Sequence, residues 1–240
     1  MSTEVIQLEE VNLWFPKPRS FLAMLKGLFS KKQVGYHALK DVNLKIQSGE
    51  VFGLIGKNGS GKSTILRIIA GIYPPNSGTC KIQGTTSLLA GLGTGFSQHQ
   101  TGVENALLYG SILGHSESKM NQLMDEIIEF SELGEFIEQP IRTYSAGMKA
   151  RLGLAVASAI CPDILLIDEV LGVGDPQFKE KSKQRILDLV EKTGTVVIVS
   201  HSFGLLSDIC DRIGVVNQGK IEMIGKPDEA IKAYYDLTGR

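Results

Sequence analysis

The chain has 240 residues, which is enough for one substantial domain with a subdomain but too short for two full domains. With 25 Lys and Arg against 26 Asp and Glu, the net charge of −1 provides no overall field for nucleic acid. No apolar run approaches the ~20 residues of a bilayer span, and the acidic N-terminus lacks the apolar region of a secretion signal. The 27 glycines are about 11% of the chain against a usual ~7%, so we expect sharp turns or close approaches to a ligand.

Three cysteines, Cys80, Cys161 and Cys210, lie far apart in the sequence and show no CxxC spacing. This pattern is typical of reduced, buried thiols in a cytosolic protein and does not suit a disulfide or zinc framework.

Short runs of β-branched residues suggest a buried sheet. The runs are residues 51–55, 164–167, 196–200 and 213–216. Each is almost continuously apolar, which is typical of parallel strands buried on both faces, and helical segments between them predict an α/β alternation. Residues 5–13 and 39–46 resemble antiparallel strands instead.

The middle of the chain shows only helical patterns, from Glu104 to about Ile160. One apolar stripe after Ser116 has helical spacing, and we expect that helix to end at Gly134. The prediction is a single domain of residues 1–240, with a helical subdomain of about residues 90–160 inserted into a core of about 1–89 and 161–240.

The sequence of residues 56–63, GKNGSGKS, fits the pattern GxxxxGK[ST] of a P-loop. It follows a predicted strand and opens a predicted helix, where backbone N–H groups can surround a phosphate. We expect Lys62 to reach the β- and γ-phosphates and the Ser63 hydroxyl to bind Mg²⁺. The predicted nucleotide-binding residues of the loop are Gly56, Lys57, Asn58, Gly59, Ser60, Gly61, Lys62, Ser63 and Thr64.

Two further strands end in polar residues that suit phosphoryl chemistry. The run ILLIDE places Asp168 at a strand end, where it can hold Mg²⁺, and Glu169 can polarise an attacking water. The run TVVIVS leads to His201, for which we predict a contact with the γ-phosphate. The alternatives are a helix N-cap for the acidic pair and a satisfied surface or core residue for the histidine.

The segment RTYSAGMKARL at residues 142–152 narrows the class. It opens a long helix of small residues about 20 positions before Asp168, and Ser145 can cap that helix. In the form YSxGM, in place of LSGGQ, the segment resembles the signature motif of ABC ATPases. The resemblance covers essentially the whole chain.

The resemblance implies a P-loop NTPase (RecA-like) parallel-sheet core with an antiparallel β subdomain and an inserted α-helical subdomain. It also implies ATP and Mg²⁺ as ligands and a head-to-tail homodimer, in which the signature of one copy closes the nucleotide of the other. The residues that would serve the second copy's ATP are Ser145, Ala146, Gly147 and Met148, and in the LGVGD loop Asp175.

Two contacts of the family are less readily matched. The adenine stacks on an aromatic shortly after the first strand, for which Phe15 is the best match, followed by Trp14, with Tyr36 and His37 as alternatives. The glutamine that touches Mg²⁺ and senses the transporter has no clear counterpart, because Gln98 and Gln100 lie late and residues 90–95 occupy its expected place.

An insertion at residues 17–32, KPRSFLAMLKGLFSKK, carries five basic residues and no acid. Its apolar residues share one helical face, which predicts a basic amphipathic helix that rests on a membrane surface or a membrane subunit. The alternative is a helix packed on its own domain with solvated lysines.

Within the family, the chain resembles the ATPase subunits of bacterial exporters of cell-surface polysaccharides such as O-antigen, capsule and teichoic acid. The matching segments are YSAGMKARL, DEVLGVGDPQFKEK, the Leu/Gly-rich element at 88–96 and the early insertion. This implies a membrane-spanning permease as partner, a peripheral location on the cytoplasmic face of the membrane, and no nucleic-acid partner. Some members add a C-terminal carbohydrate-binding domain, which this sequence would lack or have lost by trimming.

Three other functions are compatible with part of this motif set. The first is an ABC ATPase for another cargo. The second is a soluble ABC ATPase acting on DNA or the ribosome, although the long coiled-coil insertions or tandem cassettes of such proteins are not visible here. The third is a P-loop kinase with a chance signature, which would need no second subunit at its site.

Overall fold

The structure is a computed structural model that describes residues 3–16, 35–89, 96–112, 114–160, 162–168 and 176–239. Its strands are β1 (Glu4–Pro16), β2 (Gly35–Gln47), β3 (Val51–Ile55), β4 (Ser77–Ile82), β5 (Thr86–Leu89), β6 (Ile164–Asp168), β7 (Thr195–Val199), β8 (Arg212–Asn217) and β9 (Lys220–Gly225). Its α-helices are α1 (Lys62–Ile69), α2 (Gly102–Ile112), α3 (Glu117–Ser131), α4 (Ala146–Ala159), α5 (Pro176–Thr193), α6 (Phe203–Ile209) and α7 (Pro227–Thr238). Short 3-10 helices span Gly134–Glu138 and Ile141–Thr143.

The chain divides into two compact units, each of which gathers separated segments of the sequence. The first unit comprises residues 1–48, 53–83 and 203–240, and the second comprises residues 49–52 and 84–202. The first unit therefore contains the P-loop, whereas the second contains the helical region and the strands that end near Asp168 and His201.

In the first unit, β1 lies between β2 and β4 in an antiparallel three-stranded sheet. Ile6 pairs with Ile46 and Leu8 with Leu44, and all four side chains are buried. This apolar alternation on one face is what drives an antiparallel sheet to pack on a core. The unit also carries residues 53–55 of β3, with β8 and β9 as successive neighbours, and β8 and β9 are antiparallel.

In the second unit, β5, β6 and β7 form a parallel group in that order. Every side chain of β7 is buried, as expected for a strand covered on both faces. At the start of β6, Asp163 Oδ2 accepts hydrogen bonds of 2.7 Å from the backbone N–H and the hydroxyl of Thr85. Both bonds lower the pKa of Asp163, and the bond from the backbone N–H has the larger effect. They also connect the start of β6 to the loop before β5.

The predicted fold class is confirmed, and the four apolar runs are the strands β3, β6, β7 and β8. The predicted end of one helix is wrong. Helix α3 ends at Ser131, and Glu132 follows as its C-cap with a φ of 54°, so the turn begins before Gly134. The strands β4, β5 and β9 were not predicted, because β4 is largely exposed, β9 has no fully buried residue and β5 is very short.

Some predictions fall on residues that the structure does not describe, including the insertion at 17–32, the element at 90–95 and Cys161. Cys80 and Cys210 are free thiols. Cys210 is buried as expected, but Cys80 is only half-buried because it lies on the exposed strand β4. No helix in the described ranges is both long and apolar enough to cross a bilayer. The predicted subdomain boundaries stay a prediction.

Candidate nucleotide-binding site

The loop between β3 and α1 requires glycine at the positions where the sequence supplies it. A Cβ on Gly56 would lie 2.2 Å from the carbonyl oxygen of Val216 and 2.6 Å from Ser60 Oγ, so a larger residue does not fit without displacement of β8. Gly59 and Gly61 have φ angles of +77° and +116°, which L-residues with a side chain rarely adopt. The loop backbone is therefore shaped by glycine at these places.

The Lys62 ammonium group is buried within this loop. The residue is 6% exposed, and its Nζ donates hydrogen bonds to the carbonyl oxygens of Gly56 at 2.7 Å and Lys57 at 3.1 Å. A buried cation is costly unless it meets polar or charged groups. Its position beside the loop backbone suits an anionic ligand in the same loop.

Helix α1 presents its N-terminus to this loop. Gly61 is the N-cap and offers no side-chain cap, and the first bond of the helix runs from Ile65 N to Gly61 O at 2.9 Å. The N–H groups of residues 62–64 thus precede the helical ladder, and together with the helix dipole they favour an anion. Ser60 Oγ is a buried hydroxyl that has no hydrogen-bond partner among the described residues.

Gly219, in the turn between β8 and β9, forms a backbone hydrogen bond to the P-loop. Its N–H donates to Ser60 O at 2.8 Å, and its carbonyl oxygen accepts from Lys40 N at 2.8 Å. Its φ is +85°, and a Cβ there would lie 2.5 Å from Ala38 O. Sequence reasoning missed this glycine, for which the only signal was the turn-forming sequence NQG.

The aromatic candidates for the adenine contact lie in the same unit as the P-loop. Trp14 is stacked on His37 with ring centroids 4.3 Å apart, while Phe15 meets Tyr73 edge to face at 5.5 Å. Tyr36, which pairs with Phe15 across β1 and β2, is 58% exposed. Ala38 and Leu39 of β2 border the start of α1, since a Cβ on Gly61 would lie within 3.4 Å of both. Tyr36 and His37 come directly before these two residues in β2, and Phe15 and Trp14 pair with them from β1.

In the second unit, the predicted acidic and histidine residues follow neighbouring strands. Asp168 ends β6 and pairs in register with Val199, the last residue of β7. His201 comes two residues later, so Asp168 and His201 lie at the carboxyl end of the same parallel pair, where ligands of such sheets bind. Glu169 and Asp175 lie outside the described residues.

The predicted signature opens α4 as a capped helix. Ser145 adopts an extended conformation, and its Oγ accepts a hydrogen bond of 3.2 Å from the Met148 N–H. Ser145 and Ala146 are exposed, whereas Gly147 and Met148 are half-exposed, so the helix start is accessible. This is the capping arrangement that the sequence predicted.

Tyr144, which precedes the signature, is buried, and its hydroxyl donates to the carbonyl oxygen of Phe136 at 2.6 Å. Burial, with a smaller contribution from Glu138, raises the pKa of Tyr144 to about 12. The tyrosine is therefore neutral at physiological pH and anchors the segment before the signature.

The two glutamines left open by the sequence both lie in a loop organised by Asn105. The fully buried Asn105 amide donates to the carbonyl oxygens of Ser97, Gln100 and Thr101, and its Oδ1 accepts from Ser97 N at 2.7 Å. Gln98 Oε1 accepts from Lys149 Nζ on α4 at 3.3 Å, so this side chain contacts the signature helix. Sequence reasoning missed Asn105, although it lies in the TGVEN motif.

A comparison with known families identifies the class to which this architecture belongs. The ABC transporter family model matches residues 39–172, which covers the P-loop, the signature and Asp168. The chain belongs to the ABC transporter family, and the resemblance read from its motifs is confirmed.

Several curated relatives of the chain are named as ATP-binding proteins of export systems. The chain is 47% identical over 197 residues to an O-antigen export system ATP-binding protein of Myxococcus xanthus, a match that covers 82% of this chain and 45% of the relative. It is 45% identical to a teichoic acids export ATP-binding protein of Listeria innocua, covering 89% of this chain and 64% of the relative. An O-antigen export system ATP-binding protein of Klebsiella pneumoniae is 42% identical, with 90% and 86% covered. The chain thus spans about half to two thirds of the first two relatives' length.

Solved structures agree on the fold. A dimeric ATP-binding cassette in a post-hydrolysis state with ADP and Pi matches with a TM-score of 0.73 and 24% identity, covering 92% of this chain and 98% of that one. A dimeric bacterial ABC transporter cassette matches with a TM-score of 0.73, 25% identity and the same coverage.

Proposed function

We propose that this chain is the ATP-binding and ATP-hydrolysing subunit of an exporter for a cell-surface polysaccharide. The observation that carries the proposal is the P-loop, in which a buried Lys62 ammonium and a helix N-terminus face the same glycine-built loop. The capped signature and the names of the relatives support it further.

The loop fits a nucleoside triphosphate. Gly59 and Gly61 hold the loop in a backbone conformation that residues with a side chain rarely adopt. Ser60 brings a buried hydroxyl with no partner among the described residues, and Lys62 brings the compensating charge. In the proposed complex, the backbone of residues 56–64 binds the phosphates and Lys62 holds the β- and γ-phosphate charge. Phe15 is proposed to stack on the adenine.

The donor set also fits Mg²⁺, a hard cation that prefers oxygen ligands. The Ser63 hydroxyl and the Asp168 carboxylate are the proposed protein ligands, directly or through water. When bound there, Mg²⁺ would stabilise the negative charge that develops on the phosphates in phosphoryl transfer.

Hydrolysis is assigned to two residues that follow β6 and β7. Glu169 accepts a proton from the attacking water, and His201 donates a hydrogen bond to the γ-phosphate. The role of His201 is supported by its place beside Asp168, at the carboxyl end of the parallel pair β6 and β7.

A complete site is proposed to need two copies of the chain. Ser145 to Met148 of one copy would present the N-terminus of α4 to the nucleotide on the P-loop of the other, with Asp175 as a contact between the copies. The dimeric bacterial cassette with 25% identity supports this arrangement. The test is whether the rate of phosphate release per molecule rises with protein concentration, and a rate independent of concentration down to the nanomolar range contradicts it.

The membrane partner is proposed to be a separate permease, which would place the chain on the cytoplasmic face of the membrane. The relatives' names as export ATP-binding proteins support this. Replacement of the apolar residues Phe21, Leu25 and Phe29 by Ser should weaken co-purification with the permease while ATP binding is unchanged. Unchanged co-purification would support the alternative that the insertion packs on its own domain.

The cargo is tested in cells. Deletion of the gene should remove the surface polysaccharide and leave its lipid-linked precursor inside the cell, and the wild-type gene should restore export. A variant with Lys62→Ala should fail to restore it. Normal surface polysaccharide in the deletion strain, with loss of another transported compound, would assign a different cargo.

A further inference from the structure

A cluster of charged and aromatic side chains joins three helices of the second unit. Helix α3 packs on α4, and α4 packs on α5. Glu132, the residue after α3, lies at the centre: its Oε1 accepts a hydrogen bond of 2.5 Å from Lys181 Nζ on α5. Its Oε2 accepts one of 3.4 Å from Arg151 Nη1 on α4. One carboxylate therefore holds two helices through separate oxygens.

Two buried aromatic rings fix the directions of these cations. The Phe130 and Phe178 rings lie 5.9 Å apart. Lys181 Nζ lies 5.0 Å from the Phe130 ring centre, and the Arg151 guanidinium lies 4.6 Å from that of Phe178. Lys181 Nζ also donates to Phe130 O at 3.3 Å, one of the last carbonyls of α3. Because cations are attracted to ring faces, both basic side chains are oriented toward Glu132 from fixed positions.

The backbone of Glu132 has a conformation that is unusual for a residue with a side chain. Its φ is 54°, in the left-handed region that glycine adopts readily and a glutamate rarely does. Helix C-termini in this conformation commonly carry glycine. The Glu132 side chain is 48% exposed, and ion pairs at such exposure contribute little to stability. Stability alone therefore does not account for a carboxylate at this position.

Of the two helices that Glu132 holds, α4 begins with the signature, and α5 comes directly after residues 169–175 in the chain. Arg151 lies in the second turn of α4, directly after the signature that begins at Ser145. Lys181 lies in the second turn of α5, which directly follows residues 169–175 with Glu169 and Asp175. The contacts are thus made near the N-terminal ends of both helices, and a shift of α4 at this point would displace the signature.

We propose that Glu132 is a positioning residue that holds the N-terminal turns of α4 and α5 together, so that a movement of α5 is passed to the signature at the start of α4. The inference rests on the proposed function. It assigns to Glu132 an effect on the rate of hydrolysis that is separate from ATP binding by the P-loop.

The first test compares Glu132→Gln and Glu132→Gly with the wild-type chain. Both should lower kcat for ATP hydrolysis by about 3- to 30-fold, the range of coupling effects in such networks. ATP affinity measured by direct binding should stay within twofold of wild type. Glu132→Gly should not lower the Tm, because glycine relieves the left-handed backbone, whereas a merely structural role predicts a lower Tm for both variants.

The second test is a double-mutant cycle with Lys181→Met. If Glu132 acts through Lys181, the double variant should have about the kcat of Glu132→Gln alone. The matched control is Glu135→Gln, an exposed acid in the neighbouring 3-10 helix, which should have wild-type kcat. A wild-type kcat for both Glu132 variants, or fully additive losses, would overturn the inference while the proposed function stands. A wild-type chain that hydrolyses no ATP would overturn the proposed function, and the inference with it.

Discussion

Ser145 Oγ accepts a hydrogen bond of 3.2 Å from the backbone N–H of Met148, which closes the first turn of the helix that carries the signature. A second serine of the same unit has the same arrangement: Ser116 Oγ accepts from Lys119 N at 3.3 Å at the start of α3. The two serines share a residue type, a capping geometry and an exposed position, but only one lies in a motif for which we propose a function.

A comparison of Ser145 with Ser116 distinguishes the effect of helix capping from an effect on ATP hydrolysis. Ser145→Ala and Ser116→Ala should each cost about 1 kcal/mol of the free energy of unfolding, since each removes one N-cap. Only Ser145→Ala should also lower kcat for ATP hydrolysis. Chemical denaturation and phosphate-release assays on both variants check this, and equal kcat values for the two would remove Ser145 from the site.

Replacement of Lys62 by Ala should weaken ATP binding by about 10- to 100-fold, the value of a hydrogen bond that involves a charged group. The control is Lys45→Ala, a lysine of the same unit whose ion pair with Glu4 is on the surface of β2. That variant should keep wild-type affinity in titration calorimetry. Equal affinities for the wild type and Lys62→Ala would contradict the proposed phosphate contact.

The buried thiol of Cys210 should resist alkylation. Burial, with a smaller effect of Asp211, raises the pKa of Cys210 from 9.0 to about 12, so at pH 8 the reactive thiolate is suppressed by about 1000-fold. Burial also raises the pKa of Cys80, which is only half-buried and should react sooner. Peptide mapping after iodoacetamide treatment checks the order, with unfolded protein as the control.

The raised pKa of Cys210 also makes the stability of the folded chain depend on pH. Since the pKa of Cys210 is higher in the folded chain than in the unfolded one, its contribution to stability is complete below pH 9 and is lost as the pH rises toward 12. Cys210→Ala should show a smaller loss of stability over this window. Equal slopes for both proteins, or alkylation of folded Cys210 at the unfolded rate, would contradict the assigned burial.

Glu169→Gln should bind ATP normally and hydrolyse it at least 100-fold more slowly, because the proposed general base is lost. The variant should therefore accumulate as an ATP-bound dimer in light scattering with ATP and Mg²⁺. Wild-type turnover by Glu169→Gln would remove this residue from its proposed role.

The sequence was informative where local chemistry alone determines structure. The strands β6 and β7 are continuous apolar runs, and the P-loop has an almost unambiguous pattern of glycines. Gly219, Asn105 and Glu132 were not found, because their roles arise from contacts with residues distant in the chain. Exposed strands such as β4 escaped prediction because they carry no apolar pattern.

The central claim is that each site combines the P-loop of one copy with the signature of another. In a mixture of Lys62→Ala and Ser145→Ala, half of the dimers are mixed, and each has one intact site and one doubly impaired site. We predict that mixing equal amounts raises ATP hydrolysis well above the average of the separate variants, toward about a quarter of the wild-type rate. A rate equal to that average, with mixed dimers present, would contradict a site shared between two copies.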